Sequence, residues 1–265
     1  MSSSLTAAIP LFRQALDPKT EQKALDRLAK DPNINRQLAA YKTAVTQAKD
    51  LDSALKDPRV LAVLLPAMGL GDQVQNVALA QKALTSDLSD PKSLANQLTD
   101  TRWKDTATAL DLTKKGLAAL QDPALIDKLS SGLRDLSWRN SLDDTAPGIS
   151  DALYFQDNAK NAKGPYDILG NAVLRRVVTG ALGLPQEFAL QPVETQAKVI
   201  QNRIDIKDLQ DPKKVQKLAE QYLVMNNINS TASTPSLAVL LGSGSSGQGF
   251  TGIDLSAISG INLLL

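Results

Sequence analysis

The chain has no cysteine and no histidine among its 265 residues. That absence excludes a thiolate nucleophile, a histidine general base, any Ser-His-Asp or Cys-His arrangement and an ordinary zinc site. No disulfide can form, so the chain is either cytosolic or built to pass an oxidising space without cross-links. Aromatic residues make up only 4% against 43% hydrophobic, so the core has to be mainly aliphatic. An excess of one charge is missing too. With 29 Lys+Arg against 28 Asp+Glu the net charge is +1, which gives no overall drive toward nucleic acid or anionic lipid. No long hydrophobic run is present. The most apolar internal stretch, Val60 to Leu70, is about half the length that spans a bilayer and contains Pro66 and Gly69. Met1 to Pro10 lacks a basic segment followed by an apolar one, so a cleaved Sec signal is not expected. The expectation is a soluble chain, long enough for one large or two small domains with a real core.

What is abundant is helix punctuation. Asp-Pro occurs at Asp17-Pro18, Asp31-Pro32, Asp57-Pro58, Asp90-Pro91, Asp122-Pro123 and Asp211-Pro212. Asp accepts hydrogen bonds from the free N–H groups of a first turn, and Pro, with no N–H and a preset φ, fits the first helical position. Apolar residues follow at helical spacing. Ile34, Leu38, Tyr41 and Val45 form one such face; Leu61, Leu64, Leu65 and Met68 another; Ile126, Leu129, Leu133 and Leu136 a third. Further faces are Leu174, Val177, Val178, Ala181 and Leu182, then Val193, Ala197, Ile200 and Ile204, then Val215, Leu218, Tyr222 and Met225. Ala and Leu dominate and favour helix. No convincing period-2 alternation of β-branched residues precedes about residue 235. The predicted fold class is all-α, with many short helices of two to four turns.

Two stretches resemble each other at a constant offset. Gln47-Ala48-Lys49, Leu55, Val60, Val63, Ala67 and Met68-Gly69-Leu70 match Asn161-Ala162-Lys163, Leu169, Leu174, Val177, Ala181 and Leu182-Gly183-Leu184. Tyr41 aligns with Phe155, and Asp90-Pro91-Lys92 matches Asp211-Pro212-Lys213 after a short insertion. Both copies close a helix with Gly-Leu, as a left-handed C′ glycine requires. This predicts an internal duplication: a lead-in at 1–33, a helical module at 34–140, a turn-rich linker at 141–150 and a second module at 151–225.

From 226 to 265 the composition changes, and Asp254 is the one charged residue between Gln221 and Leu265. Gly242 to Gly249 reads as a Ser/Gly linker between two apolar islands. A wholly disordered tail would be more charged and less aliphatic. Leu237, Val239, Leu240, Leu241, Ile253, Leu255, Ile258 and Ile261 are therefore candidate docking residues, either on the chain's own body or on a partner.

Motifs with catalytic form do not hold up. Gly242-Ser243-Gly244-Ser245-Ser246-Gly247 matches G-x-G-x-x-G, but no βαβ unit accompanies it, and the 18 residues after Gly247 do not reach the position about 20 residues on where the acidic residue would stand. Ser53-Ala54-Leu55-Lys56 matches S-x-x-K without its companion motifs and simply precedes a cap. Asp143-Asp144 lacks the alternating oxygen ligands of a calcium loop. Arg175-Arg176, Lys114-Lys115 and Lys213-Lys214 read as solvated helix faces, since acids are interspersed and stacking aromatics are scarce. Trp103 and Trp138 read as core anchors.

The combination Met68-Gly69-Leu70-Gly71-Asp72 with Asp90-Pro91-Lys92-Ser93-Leu94-Ala95-Asn96-Gln97-Leu98-Thr99-Asp100-Thr101-Arg102-Trp103 resembles a bacterial all-helical domain-of-unknown-function family. Ala152-Leu153-Tyr154-Phe155, Ala181-Leu182-Gly183-Leu184-Pro185, Arg203 through Pro212 and Thr234 through Leu241 carry the resemblance further, over roughly residues 35 to 260. The sequence departs from the family pattern at Leu94 and Ala109, where aromatics would stand. Members are often encoded among flagellar genes, and the resemblance implies a role in flagellar assembly or structure, with no catalytic residues to carry over.

The expected function is thus a non-enzymatic helical protein that acts through protein–protein contacts. Flagellar components are the implied partners, an oligomer is compatible, and no nucleic acid, membrane span, metal or cofactor is expected. The expected place is the flagellum if the chain is exported without a Sec signal, and the cytoplasm otherwise. The alternative is a cytosolic adaptor or chaperone-like binding module. An enzyme would have to rely on Asp, Glu, Lys, Tyr or Ser alone. It would show a concave pocket gathering carboxylates of strongly shifted pKa.

Overall fold

Asp-Pro steps set the helix starts. In the computed structural model, which describes residues 3–232 and the side chains of 7–228, helices begin at Pro18, Pro32, Pro58, Pro123 and Pro212. Each preceding aspartate accepts the N–H two residues on, from Lys19, Asn33, Arg59, Ala124 and Lys213, at 2.7 to 3.2 Å. The proline sacrifices no bond, because a first-turn N–H has no partner inside the helix. Asp90-Pro91 makes the same local contact, to the N–H of Lys92 at 2.9 Å, yet starts no helix. Asn96 Nδ2 donates to the carbonyls of Leu88 and Asp90 and holds that segment as a turn.

The described residues contain helices and no strand. The first group is α1 (Ser3–Ala15), α2 (Pro18–Leu28), α3 (Pro32–Gln47), α4 (Leu51–Lys56) and α5 (Pro58–Ala67). Then come α6 (Val77–Leu84), α7 (Leu94–Gln97), α8 (Thr101–Leu110), α9 (Leu112–Lys115), α10 (Leu117–Gln121) and α11 (Pro123–Asp143). The last are α12 (Ile149–Asn158), α13 (Pro165–Gly170), α14 (Ala172–Ala181), α15 (Val193–Arg203) and α16 (Pro212–Ala232). At 21 residues each, α11 and α16 exceed the expected two to four turns. The turn at Asp144–Gly148 is folded by Asp143, whose Oδ1 accepts the N–H groups of Gly148 and Ser150 at 3.1 and 2.8 Å.

The aliphatic stripes point inward as their spacing requires. Ile34, Leu38, Tyr41 and Val45 are buried, as are Leu174, Val177, Val178 and Ala181. Val193, on the first turn of α15, stays 40% exposed while Ala197 and Ile200 of the same stripe are buried. Two apolar clusters result. One gathers α3 to α6, α8 to α10 and the first half of α11, around Tyr41, Leu64 and Trp103. The other gathers α12 to α16 with α1 and α2, around Phe12, Trp138 and Phe155. Helix α11 belongs to both, through Leu129 and Leu133 at one end and Trp138 at the other. Both tryptophans are core residues.

The two resembling stretches fold alike at a constant spacing of 114 residues. The N–H of Asp50 donates to the side chain of Ser53, and that of Gly164 to the side chain of Asp167. Asp57 caps α5 and Asn171 caps α14. Gly69 and Gly183 take φ of 79° and 61°. The N–H groups of Leu70 and Leu184 then reach back to the carbonyls of Leu65 and Thr179. That six-residue return closes each helix, and only a residue at ease with positive φ permits it.

Helix α11 crosses α5 at Gly132, where an added Cβ would sit 2.3 Å from the carbonyl oxygen of Ala67. Both partners are backbone and cannot move aside cheaply. Gly132→Ala is therefore expected to destabilise the protein by about 2 kcal/mol, even though alanine favours helix by about 1 kcal/mol. Urea unfolding followed by circular dichroism checks this. An unchanged or raised midpoint would refute the close crossing.

Candidate functional site: a charged cleft over α11

A cleft of about 730 Å3 is lined by the end of α5, by α8, α11, α12 and α14 and by the turn at Gly71 and Asp72. Its apolar lining includes Pro66, Ala67, Met68, Ala109, Leu136 and Val173, and its charged residues are Asp72, Arg102, Asp105, Lys128, Asp135, Arg139, Asp151 and Arg176. The volume is in the range of sites that hold a drug-sized molecule or a protruding side-chain cluster.

Arg102 organises the wall nearest α8. It is the second residue of that helix, and its backbone N–H and Nε both donate to its own N-cap, Asp100. Its Nη1 donates to Asp72 at 2.9 Å and to the carbonyl of Gly69 at 2.7 Å, and its Nη2 to Asp72 at 2.9 Å and to Asp100 at 2.7 Å. The side chain is only 6% exposed. Burial alone would lower the guanidinium pKa, but the bonds to Asp100 and Asp72 outweigh it and raise it. Burial likewise pushes Asp72 up, and the hydrogen bonds from Arg102 and Gln73 bring it below the ordinary carboxylate value. Across the cleft, Tyr154 packs over Gly69, and its hydroxyl accepts from Asn171 Nδ2 at 3.0 Å.

The other arginines are also engaged. Arg139 binds Asp135 at 2.9 Å and Asp157 at 2.7 Å, and keeps a raised pKa despite burial. Arg176 pairs with Asp151 at 3.2 Å. Asp151 also accepts from the hydroxyl of Tyr222 at 3.0 Å, and burial raises its pKa more than Arg176 and Tyr222 lower it. Two charged groups of the cleft make no hydrogen bond or ion pair among the described residues. They are Asp105, whose pKa is raised by burial, and Lys128. The charges thus fix the walls of the cleft, and a single carboxylate and a single ammonium are left over. No cluster able to hold a metal occurs among the described residues, nor does any of their helices have the length and apolarity to cross a membrane.

The cleft is the feature least legible in the sequence. Its residues run from Pro66 to Arg176 and share no motif. Asp143, considered above as half of a carboxylate pair, serves the turn before α12. Arg176 of the Arg175-Arg176 doublet is committed to Asp151, and Lys114 and Lys214 to Asp111 and Asp208. The candidate docking residues Leu237, Val239, Leu240, Leu241, Ile253, Leu255, Ile258 and Ile261 lie outside the described residues.

The fold and site define an all-helical protein with two apolar clusters sharing α11 and an ion-paired cleft along that helix. Residues 67–215, more than half of the chain, match the model of the family described as protein of unknown function (DUF1217), and the chain belongs to that family. It is similar to the crystal structure of protein AGR_C_984 from Agrobacterium tumefaciens, with 30% identity and a TM-score of 0.70, over 86% of this chain and 96% of that one. None of the curated proteins matches.

Replacing Arg102 by methionine would leave two carboxylates and a carbonyl without their shared donor. The expected loss is about 3 kcal/mol, as for a buried ion pair broken from one side. The pH profile gives the sign. Asp72 is held below its unfolded pKa, so its contribution is complete above that value and is lost as pH falls through the lowered one. Wild-type stability should drop over that acid range by more than that of Arg102→Met, and parallel profiles would refute the coupling.

Proposed function

We propose that the protein is a non-enzymatic assembly component of the bacterial flagellum, and that the cleft along α11 is a docking groove for another protein. The carrying observation is the state of its charges. Each arginine in the cleft is already bound by a carboxylate of the same chain, above an aliphatic floor that includes Ala67, Met68 and Leu136. Such walls offer shape and apolar area to a partner and hold few free charges for an ionic substrate. The flagellar setting rests on the family resemblance in the sequence. A catalytic reading would have to be placed on Asp105 and Asp151, the cleft carboxylates of raised pKa. Asp151 is already bound by Arg176 and Tyr222, and with no histidine or thiol in the chain the pair makes no recognisable constellation. The second reading, a cytosolic adaptor, uses the same groove and differs in where the protein resides.

Two measurements test the proposal. The protein should be found in isolated flagella of the native cell, and confinement to the cytosolic fraction would favour the adaptor. Lys128→Trp places a ring in the cleft from an exposed helix position. It should impair motility while the melting temperature of the purified protein stays within a few degrees of wild type. Normal motility with a filled cleft would remove the docking role.

A further inference from the structure

The amino-terminal helices pack mainly on the second cluster, and Leu28 at the end of α2 touches both clusters. Ala8, Phe12 and Ala15 of α1 and Ala24 of α2 are buried in the second cluster, with Phe155 and Ala159. Arg13 reaches Glu220 of α16 with two bonds of 2.8 Å. Yet Ile34, six residues beyond the end of α2, already belongs to the first cluster. Helix α10 and the first half of α11, before the second module, pack in the opposite sense. Leu120 of α10, with Leu129 and Leu133 of α11, is buried in the first cluster, and Tyr41 donates its hydroxyl proton to the carbonyl of Leu120 at 2.9 Å.

The two pairs are built alike. In α1–α2 and in α10–α11 an Asp-Pro step starts the second helix, with the aspartate as its cap. Buried Ala15 and Ala24 and part-buried Leu28 each stand 105 residues before buried Leu120, Leu129 and Leu133. Tyr41 and Phe155, the aromatic positions that match in the two resembling stretches, each lie in the cluster that receives one pair. Each module thus takes buried residues from the helix pair that precedes the other, with α11 and Leu28 shared between the clusters, which is the connectivity of a reciprocal swap contained in one chain.

We propose that α1–α2 is an exchangeable donor that docks on the α11, α12 and α16 face of a second copy of this chain. The hinge is Ala29–Asp31. Their N–H groups bond back to the carbonyls of Leu25, Arg27 and Leu28, and Asp31 is already extended at φ −65° and ψ 122°. A rotation there leaves the cap of α3 intact, because Asp31 still accepts from Asn33 and Ile34. The exchanged contacts are the same as the internal ones, so hinge conformation and protein concentration set the balance. A copy that donates forward and receives from behind links chains head to tail. This deepens the assembly reading and rests on it for its purpose, naming another copy as one partner.

The absence of cysteine makes the test clean, since each introduced thiol is unique. Full-length Arg13→Cys and Glu220→Cys variants are unfolded together, refolded as a mixture and treated with a short bismaleimide. Lys56→Cys mixed with Glu220→Cys is the collision control, because Lys56 lies on α4 and is exposed. Exchange predicts a linked dimer from the first mixture that grows with concentration and exceeds the control about tenfold. A yield equal to the control at every concentration overturns the proposal. Native mass spectrometry of the unmodified chain refolded at the same concentrations must show matching multiples, and monomer alone overturns it as well. The outcome is distinguishable from failure of the flagellar reading. A chain that exchanges but is confined to the cytosol keeps this inference and loses that one.

Discussion

The guanidinium of Arg102 is the point on which this part of the architecture depends. A helix ending in a left-handed glycine exposes a carbonyl, and a helix starting on an aspartate exposes a carboxylate; both are found within reach of one buried cation. By binding Gly69, Asp72 and Asp100 together, Arg102 fixes the exit of α5, the turn after it and the entry of α8. That fixed corner is what the second set of helices packs against. Tyr154 lies over Gly69, and Gly170 approaches the carbonyl of Thr99 so closely that a Cβ there would sit 2.2 Å away. A buried arginine is costly unless every donor finds an acceptor, and here the geometry supplies them.

Helix α11 does the complementary work. It carries aliphatic residues for one cluster at its start and Trp138 for the other at its end. Its middle stretch, from Lys128 to Asn140, lines the cleft. A long helix shared by two apolar clusters leaves a concavity where neither cluster fills the space beside it, and that is where the charged walls assemble. The close crossing at Gly132 keeps α5 and α11 together beneath it.

Much of this was readable before any coordinates. Asp-Pro located helix starts because capping is a contact between neighbours in the chain, and the positions of Gly69 and Gly183 followed from the chemistry of helix ends. Asp90-Pro91 misled for the same reason: its local hydrogen bond forms, but Asn96, from six residues away, decides that the segment turns. The cleft was not legible. Asp105 and Lys128 look like any solvated residues on helices, and no spacing links α8 to α14. The partnership of α1–α2 with the second cluster was invisible as well, since Phe12 and Phe155 are too far apart in sequence for any periodicity to connect them.

Asp57-Pro58-Arg59 and Asp100-Thr101-Arg102 are the same local device, a capping aspartate bound by the arginine two residues later. The sequence alone determined that device in both places, because its atoms are neighbours along the chain. Arg59 remains 47% exposed and holds only its own cap, whereas Arg102 is 6% exposed and also binds Asp72 and Gly69. Only the tertiary structure decided between a surface ion pair and the anchor of a cleft, since burial and the arrival of distant acceptors are properties of how helices pack.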